Sequence, residues 1–155
     1  MRISRPWLVA TILFTMFIWG NSLVPATGSS GMSLRVVSAL RGALSGLDLP
    51  SAWITNFLVR KTAHFTEYAI LGILVSQTLA SGSRLSRTAL FVLVVVLVLI
   101  PSIDETIQLF VPGRSGLITD VMLDCSGAAV GSALRALAHR LREIRVRRRD
   151  TSTRN

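Results

Sequence analysis

Four stretches of this 155-residue chain are apolar, and polar residues enter them mainly toward particular ends. The first covers residues 7–23 and closes at Asn21-Ser22, followed by Pro25. The second covers 58–79 and is closed by the GSR turn at 82–84. The third begins near Thr88, centres on FVLVVVLVLI and continues past Pro101 to about Phe110. The fourth covers 118–137. Each is close to the ~20 residues that a helix needs to cross a bilayer. Pro101 predicts a kink in the third, because its missing N–H removes a helix hydrogen bond.

A longer connection, residues 24–57, separates the first two stretches. Its ATGSSG segment reads as a loop. Leu34, Val37, Leu40, Leu44 and Leu47 then recur at helical spacing, with Arg35 and Arg41 between them. That pattern predicts an amphipathic helix lying on the membrane surface, or a partly re-entrant segment. Pro50-Ser51 is a stop and restart, and Trp53 sits where an interfacial aromatic would. The expected fold is all-α: a polytopic membrane protein with four transmembrane helices in residues 1–138, followed by a basic tail, 139–155.

Composition points the same way. Half the residues are hydrophobic, only 16% are charged, and the mean hydropathy is +0.55. Ordinary soluble domains carry roughly 25% charged residues. Residues 1–29 also resemble a signal peptide, with Arg2 and Arg5 before an apolar run and small residues after it. Retention as a helix is the preferred reading, since three later spans already make the protein integral. The one cysteine, Cys125, excludes an intrachain disulfide and reads as a small packing residue.

The net charge of +9 sets an orientation. With four spans, Arg35, Arg41, Arg60, Lys61 and Arg114 lie on one side, and the rest of the 17 lysines and arginines lie on the other. The positive-inside rule then puts both termini of this multi-pass protein in the cytoplasm, with the spans in the bacterial inner (plasma) membrane. The Arg-rich tail, with Arg140, Arg142, Arg145, Arg147, Arg148, Arg149 and Arg154, faces anionic lipid rather than nucleic acid, for which the chain has no recognition fold.

The acids segregate in the opposite sense. Of eight, Asp48, Glu67, Asp104, Glu105, Asp120 and Asp124 fall on the outer side, leaving Glu143 and Asp150 inside. Arg60, His64 and Glu67 are spaced four and three, so they share a helix face. Asp104 and Gln108 are four apart, as are Asp120 and Asp124. Four pieces of chain thus bring polar groups to one leaflet, where a carboxylate facing lipid would cost up to about 3 kcal/mol. These groups are expected to face one another or a wet cleft. Arg60, Lys61 and Arg114 suit a phosphate or carboxylate ligand. Asp104, Glu105, Asp120 and Asp124 suit a divalent cation, although no named metal spacing is present. His64, oriented by Glu67, and Asp104 are the candidates for acid–base work. A structural network is the competing reading, with Arg60 paired to Glu67 or Asp104, Arg114 to Asp120 or Asp124, and His64 bridging them. Gly127 and Gly131 form a close-packing face for another span, or for a second copy of the chain.

RKTAHFTEYAILG, PSIDETIQLFVPGRSGLITDVMLDCSGAAVG and the NSLVP turn together resemble the VanZ-like family of small bacterial membrane proteins, over roughly residues 5–135. Its pattern falls here on Arg60, Lys61, His64, Glu67, Tyr68, Asp104, Glu105, Gln108, Gly113, Arg114, Asp120, Asp124, Gly127 and Gly131. Relatives often carry Asn where this chain has Asp124. The family's founding member is linked with resistance to the glycopeptide teicoplanin; for this chain the resemblance implies a cell-envelope setting, but no reaction and no resistance. The leading expectation is a non-enzymatic envelope protein that binds a lipid headgroup, a glycopeptide or a partner protein. Alternatives are an enzyme acting on a lipid-linked phosphate or pyrophosphate cell-wall precursor, and a homo-oligomeric transporter.

Overall fold

The computed structural model describes residues 3–79 and 85–152. Arg2, Arg84, Arg154 and the turn at 82–84 lie outside the described residues. Among those described there are five α-helices and no strand: α1 Arg5–Ser22, α2 Ala26–Ser45, α3 Asn56–Leu79, α4 Arg87–Gln108 and α5 Ile118–Ser152. Pro6 sits in the first turn of α1, where a missing N–H is not needed. Ser86 caps α4 by accepting the Ala89 N–H at 3.2 Å. Pro101 lies inside α4, which continues unbroken past it to Gln108.

Helix α3 is the hub and packs against every other helix. Its contact with α5 is backbone to backbone. A methyl group at Gly127 would collide with the Phe65 carbonyl, and one at Gly131 with the Ala69 carbonyl. From the other side, a methyl at Gly72 would collide with Ala128. The small residues expected to meet another span therefore meet α3. Ser132 Oγ reinforces this seam by donating to the Gly72 carbonyl at 3.0 Å. Arg135 Nε donates to Gln77 Oε1 at 2.6 Å, so even this buried cation has a partner.

The polarity of the bundle is inverted relative to a soluble protein. Phe91 is 70% exposed, and Leu90, Val94, Val95, Val98 and Leu99 on the same helix are also exposed. Asp104 and Asp124 are both 0% exposed. Apolar outside with carboxylates inside is stable only where the surroundings are hydrocarbon. Helices α4 and α5 are each long and apolar enough to cross a membrane. Helices α1 and α2 qualify as a bent pair, turned 104° at their break, which would make a third span. Helix α3 falls short on composition, because Arg60, Lys61 and Glu67 occupy its first half.

One sequence expectation is corrected. The ATGSSG segment is not a loop but the start of α2. Pro25 supplies an extended residue immediately before it (φ −53°, ψ 152°), and Ser29 N–H bonds back to the Pro25 carbonyl. The Ala26 N–H donates to the Pro112 carbonyl, and Gly113 (φ +75°) turns the α4–α5 loop against Ala26. Tertiary contact thus overrides the weak helix preference of Gly and Ser. Helix α5 carries the fourth apolar stretch and runs on past it to Ser152. Arginine is a good helix former.

Candidate functional site

The polar ends of α1, α3, α4 and α5 meet at one end of the bundle, together with the α4–α5 loop. Gln108, in the last turn of α4, is the organiser. Its Nε2 lies 3.3 Å from Ser22 Oγ on α1, 3.2 Å from Asp104 Oδ2 and 3.3 Å from Glu105 Oε1. The other oxygen of Glu105 accepts the Leu117 N–H at 2.9 Å, which fixes the loop just before α5. Glu105 is therefore held from both sides. Sequence spacing paired Asp104 with Gln108, but it could not show the links to Ser22 and Leu117.

Asp124 extends from α5 toward His64 on α3, with Oδ2 at 3.7 Å from Nδ1. The partner expected to orient His64 was Glu67, but Asp124 is the acid that faces its Nδ1. Glu67 instead lines two neighbouring cavities. Asp120, one turn before Asp124, pairs with Lys61 at the rim. It is thereby separated from the other acids with which its spacing had grouped it. Tyr68 is fully buried and lies in the field of Asp104.

The expected ion-pair network is not what forms. Around the cluster, Lys61 pairs with Asp120 and His64 with Asp124. Arg114 donates through Nη2 to the Asn21 carbonyl at 3.2 Å, while its Nε is buried without a partner. Burial lowers the Arg114 pKa, and the nearby Arg60 guanidinium lowers it further. Arg60 and Arg114 thus lie near each other, with the carboxylates of Asp104, Glu105 and Glu67 also in the field of Arg114.

They do so in a cavity of ≈ 450 Å³ lined by residues of α1, α2, α3 and the α4–α5 loop, including Asn21, Ser33, Arg60, His64, Glu67 and Arg114. Ser33, on its wall, is tied to Asn56 Oδ1 at the start of α3. An apolar groove of ≈ 690 Å³ between α2 and α3 adjoins this cavity, and the two share Val36, Val59, Ala63 and Glu67. Leu40, Leu44, Leu58 and Ile70 line the rest of the groove. A third, polar cavity of ≈ 260 Å³ opens over His64, Lys61, Gln108 and Asp120.

The structure thus brings together His64, Asp104, Glu105, Gln108 and Asp124 in one cluster, and Arg60, Arg114 and Glu67 around an adjacent cavity. Gly127 and Gly131 lie in the α3–α5 seam. Two features escaped sequence reasoning: the contribution of α2 to the cavity wall, and the pairing of His64 with Asp124. The helical recurrence of Leu40 and Leu44, which line the adjoining groove, was a signal for the first; a contact across 60 residues left none for the second.

A family model described as VanZ/LLP1 matches residues 7–139, from the first turn of α1 through the first 22 residues of α5. No curated protein and no solved structure matches the chain.

Proposed function

The chain belongs to the VanZ/LLP1 family, and from that premise we propose that it is a four-span protein of the bacterial plasma membrane that binds an anionic envelope lipid at its outward end. Helices α1, α3, α4 and α5 are the spans on this reading. Helix α2, at 104° to α1, lies near the membrane plane. The charge asymmetry of the loops and tail supports cytoplasmic termini. A reporter that works only in the cytoplasm, fused after Arg149, is expected to be active; activity only of an export-dependent reporter at that position would reverse the orientation.

One observation carries the ligand class. A cavity lined by Arg60 and Arg114 adjoins an apolar groove and shares part of its wall with it. That is the shape and polarity of an amphiphile: an anionic headgroup at Arg60 and Arg114, and an acyl or prenyl chain against Leu40, Leu44, Leu58 and Ile70. Arginine is suited to a phosphate or carboxylate because it offers paired donors in a fixed fork. The unpartnered Nε of Arg114 is already desolvated, so a ligand oxygen there relieves an existing cost.

The test is mass spectrometry of lipids copurified with the protein, compared among wild type, Arg60→Ala and Arg114→Ala. A specific anionic or polyprenyl-linked lipid is expected in the wild type and depleted about tenfold or more in each variant, in line with one lost charged hydrogen bond of about 1.5–3 kcal/mol. Identical bulk lipid in all three would remove this reading and leave a partner protein as the better occupant.

A further inference from the structure

We propose that His64, Asp104, Glu105 and Asp124 form a binding site for one divalent transition-metal ion, Zn²⁺ or Mn²⁺. Each offers a ligand atom, and those atoms lie within 4.8 Å of one another. They come from three helices, so the convergence is a property of the fold and not of one acidic stretch. Donors on opposite sides of an ion bound at about 2.1 Å lie about 4.2 Å apart. Side-chain adjustments of less than about 1 Å therefore close the set around an ion.

The second observation is independent of the clustering. His64 Nδ1, Asp104 Oδ1 and both oxygens of Asp124 are buried and have no hydrogen-bond partner. Asp104 and Asp124 are wholly inaccessible at the residue level. Buried polar atoms are nearly always paired, so four such atoms on three clustered residues indicate a shared ligand. His64 Nδ1 and Asp124 Oδ2 face each other at 3.7 Å, beyond hydrogen-bond distance. Of the other cations, Lys61 is taken by Asp120, and Arg114 donates to a backbone carbonyl. A divalent cation supplies both the missing coordination and most of the missing positive charge.

The donor set selects the kind of ion. One imidazole nitrogen with carboxylate oxygens is harder than a thiolate site and softer than the all-oxygen cages of Ca²⁺ and Mg²⁺. Cys125 adjoins Asp124 in sequence, but its thiol is directed at the Leu97 carbonyl at 3.5 Å, so it does not soften the site. The carboxylates are also held from behind. Gln108 Nε2 bonds Asp104 Oδ2 and Glu105 Oε1, and the Leu117 N–H bonds Glu105 Oε2. Such outer contacts orient ligating oxygens, and here they leave Asp104 Oδ1 free to ligate. The polar cavity over His64 is the entry path. This site does not depend on a lipid occupying the neighbouring cavity.

The experiment uses the full chain purified in detergent without a histidine tag. Metal content is measured by mass spectrometry before and after chelation, and thermal unfolding is followed as Zn²⁺, Mn²⁺ or Mg²⁺ is returned. About one Zn²⁺ or Mn²⁺ per chain is expected, with a rise in Tm of several degrees on return. Asp124→Asn and His64→Gln are expected to weaken binding at least about tenfold. Asp120→Asn, at the rim, should bind as the wild type does. Should the cluster variants fail to fold, Co²⁺-loaded wild-type protein must show ligand-field absorption and paramagnetically shifted imidazole resonances. Wild-type protein that holds no stoichiometric metal and gains no stability from either ion would overturn the site. Equal loss in Asp120→Asn, or equal affinity for Mg²⁺, would overturn it as well.

Discussion

Gly131→Leu is expected to abolish recovery of folded protein from membranes. The α3 backbone at Ala69 occupies the space that any side chain would need, and backbone cannot rotate away as a side chain can. Even Gly131→Ala should cost about 1–3 kcal/mol through overpacking. The same holds for Gly72→Ala, which meets Ala128 from the opposite face. Gly42 provides the control. It is helical, a methyl there would touch nothing, and Gly42→Ala should be neutral or stabilising by up to about 1 kcal/mol. Reversible unfolding in mixed micelles measures all three. A Gly131→Ala protein as stable as the wild type would mean that α3 and α5 are not in backbone contact. The consequence reaches the site, since His64 and Asp124 lie in these two helices and depend on their spacing.

The second large effect is expected at Gln108. Gln108→Leu keeps the side-chain bulk but removes the donor shared by Ser22, Asp104 and Glu105. Two buried carboxylates then lose donors at once. The expected destabilisation is about 3 kcal/mol, since stranding charged acceptors costs more than the net worth of the bonds. Gln108→Glu should be worse, because it exchanges the donor for another carboxylate beside two. Denaturant midpoints with unchanged slopes would report the loss as stability alone. Unaltered midpoints in both variants would show that Gln108 does not organise the cluster.

Much of this architecture is legible in the sequence, for an identifiable reason. In a membrane protein, hydropathy marks the helices directly, and α1, α3 and α4 begin and end within about two residues of the apolar stretches. The convergence of Asp104, Glu105, Gln108 and Asp124 was also legible, because helical spacing and the in–out alternation of spans put them at one end. Partner choice was not. Asp120 and Asp124 are equivalent by spacing, yet one meets Lys61 at the rim and the other meets His64 inside. Their separation depends on the rotation of α5 against α3, which the glycine contacts set in three dimensions. The start of α2 was hidden differently. Ala-Thr-Gly-Ser-Ser-Gly has little helix preference of its own, and the α4–α5 loop supplies the missing support.

The uninterrupted course of α5 has one more consequence. Thirty-five residues of helix measure about 52 Å at 1.5 Å per residue, whereas the hydrocarbon slab is about 30 Å thick. Roughly 20 Å of rod therefore stands clear of the slab, and it carries the arginines rigidly joined to the helix that bears Asp124. Tethered by a floppy segment, those charges would secure only attachment. On the topology proposed above, carried on a stiff shaft, they would act as a depth gauge: the anionic headgroup layer against which they settled would set how far α5 is submerged. Bilayer thickness and surface charge would then determine the level at which the carboxylate cluster meets the opposite leaflet.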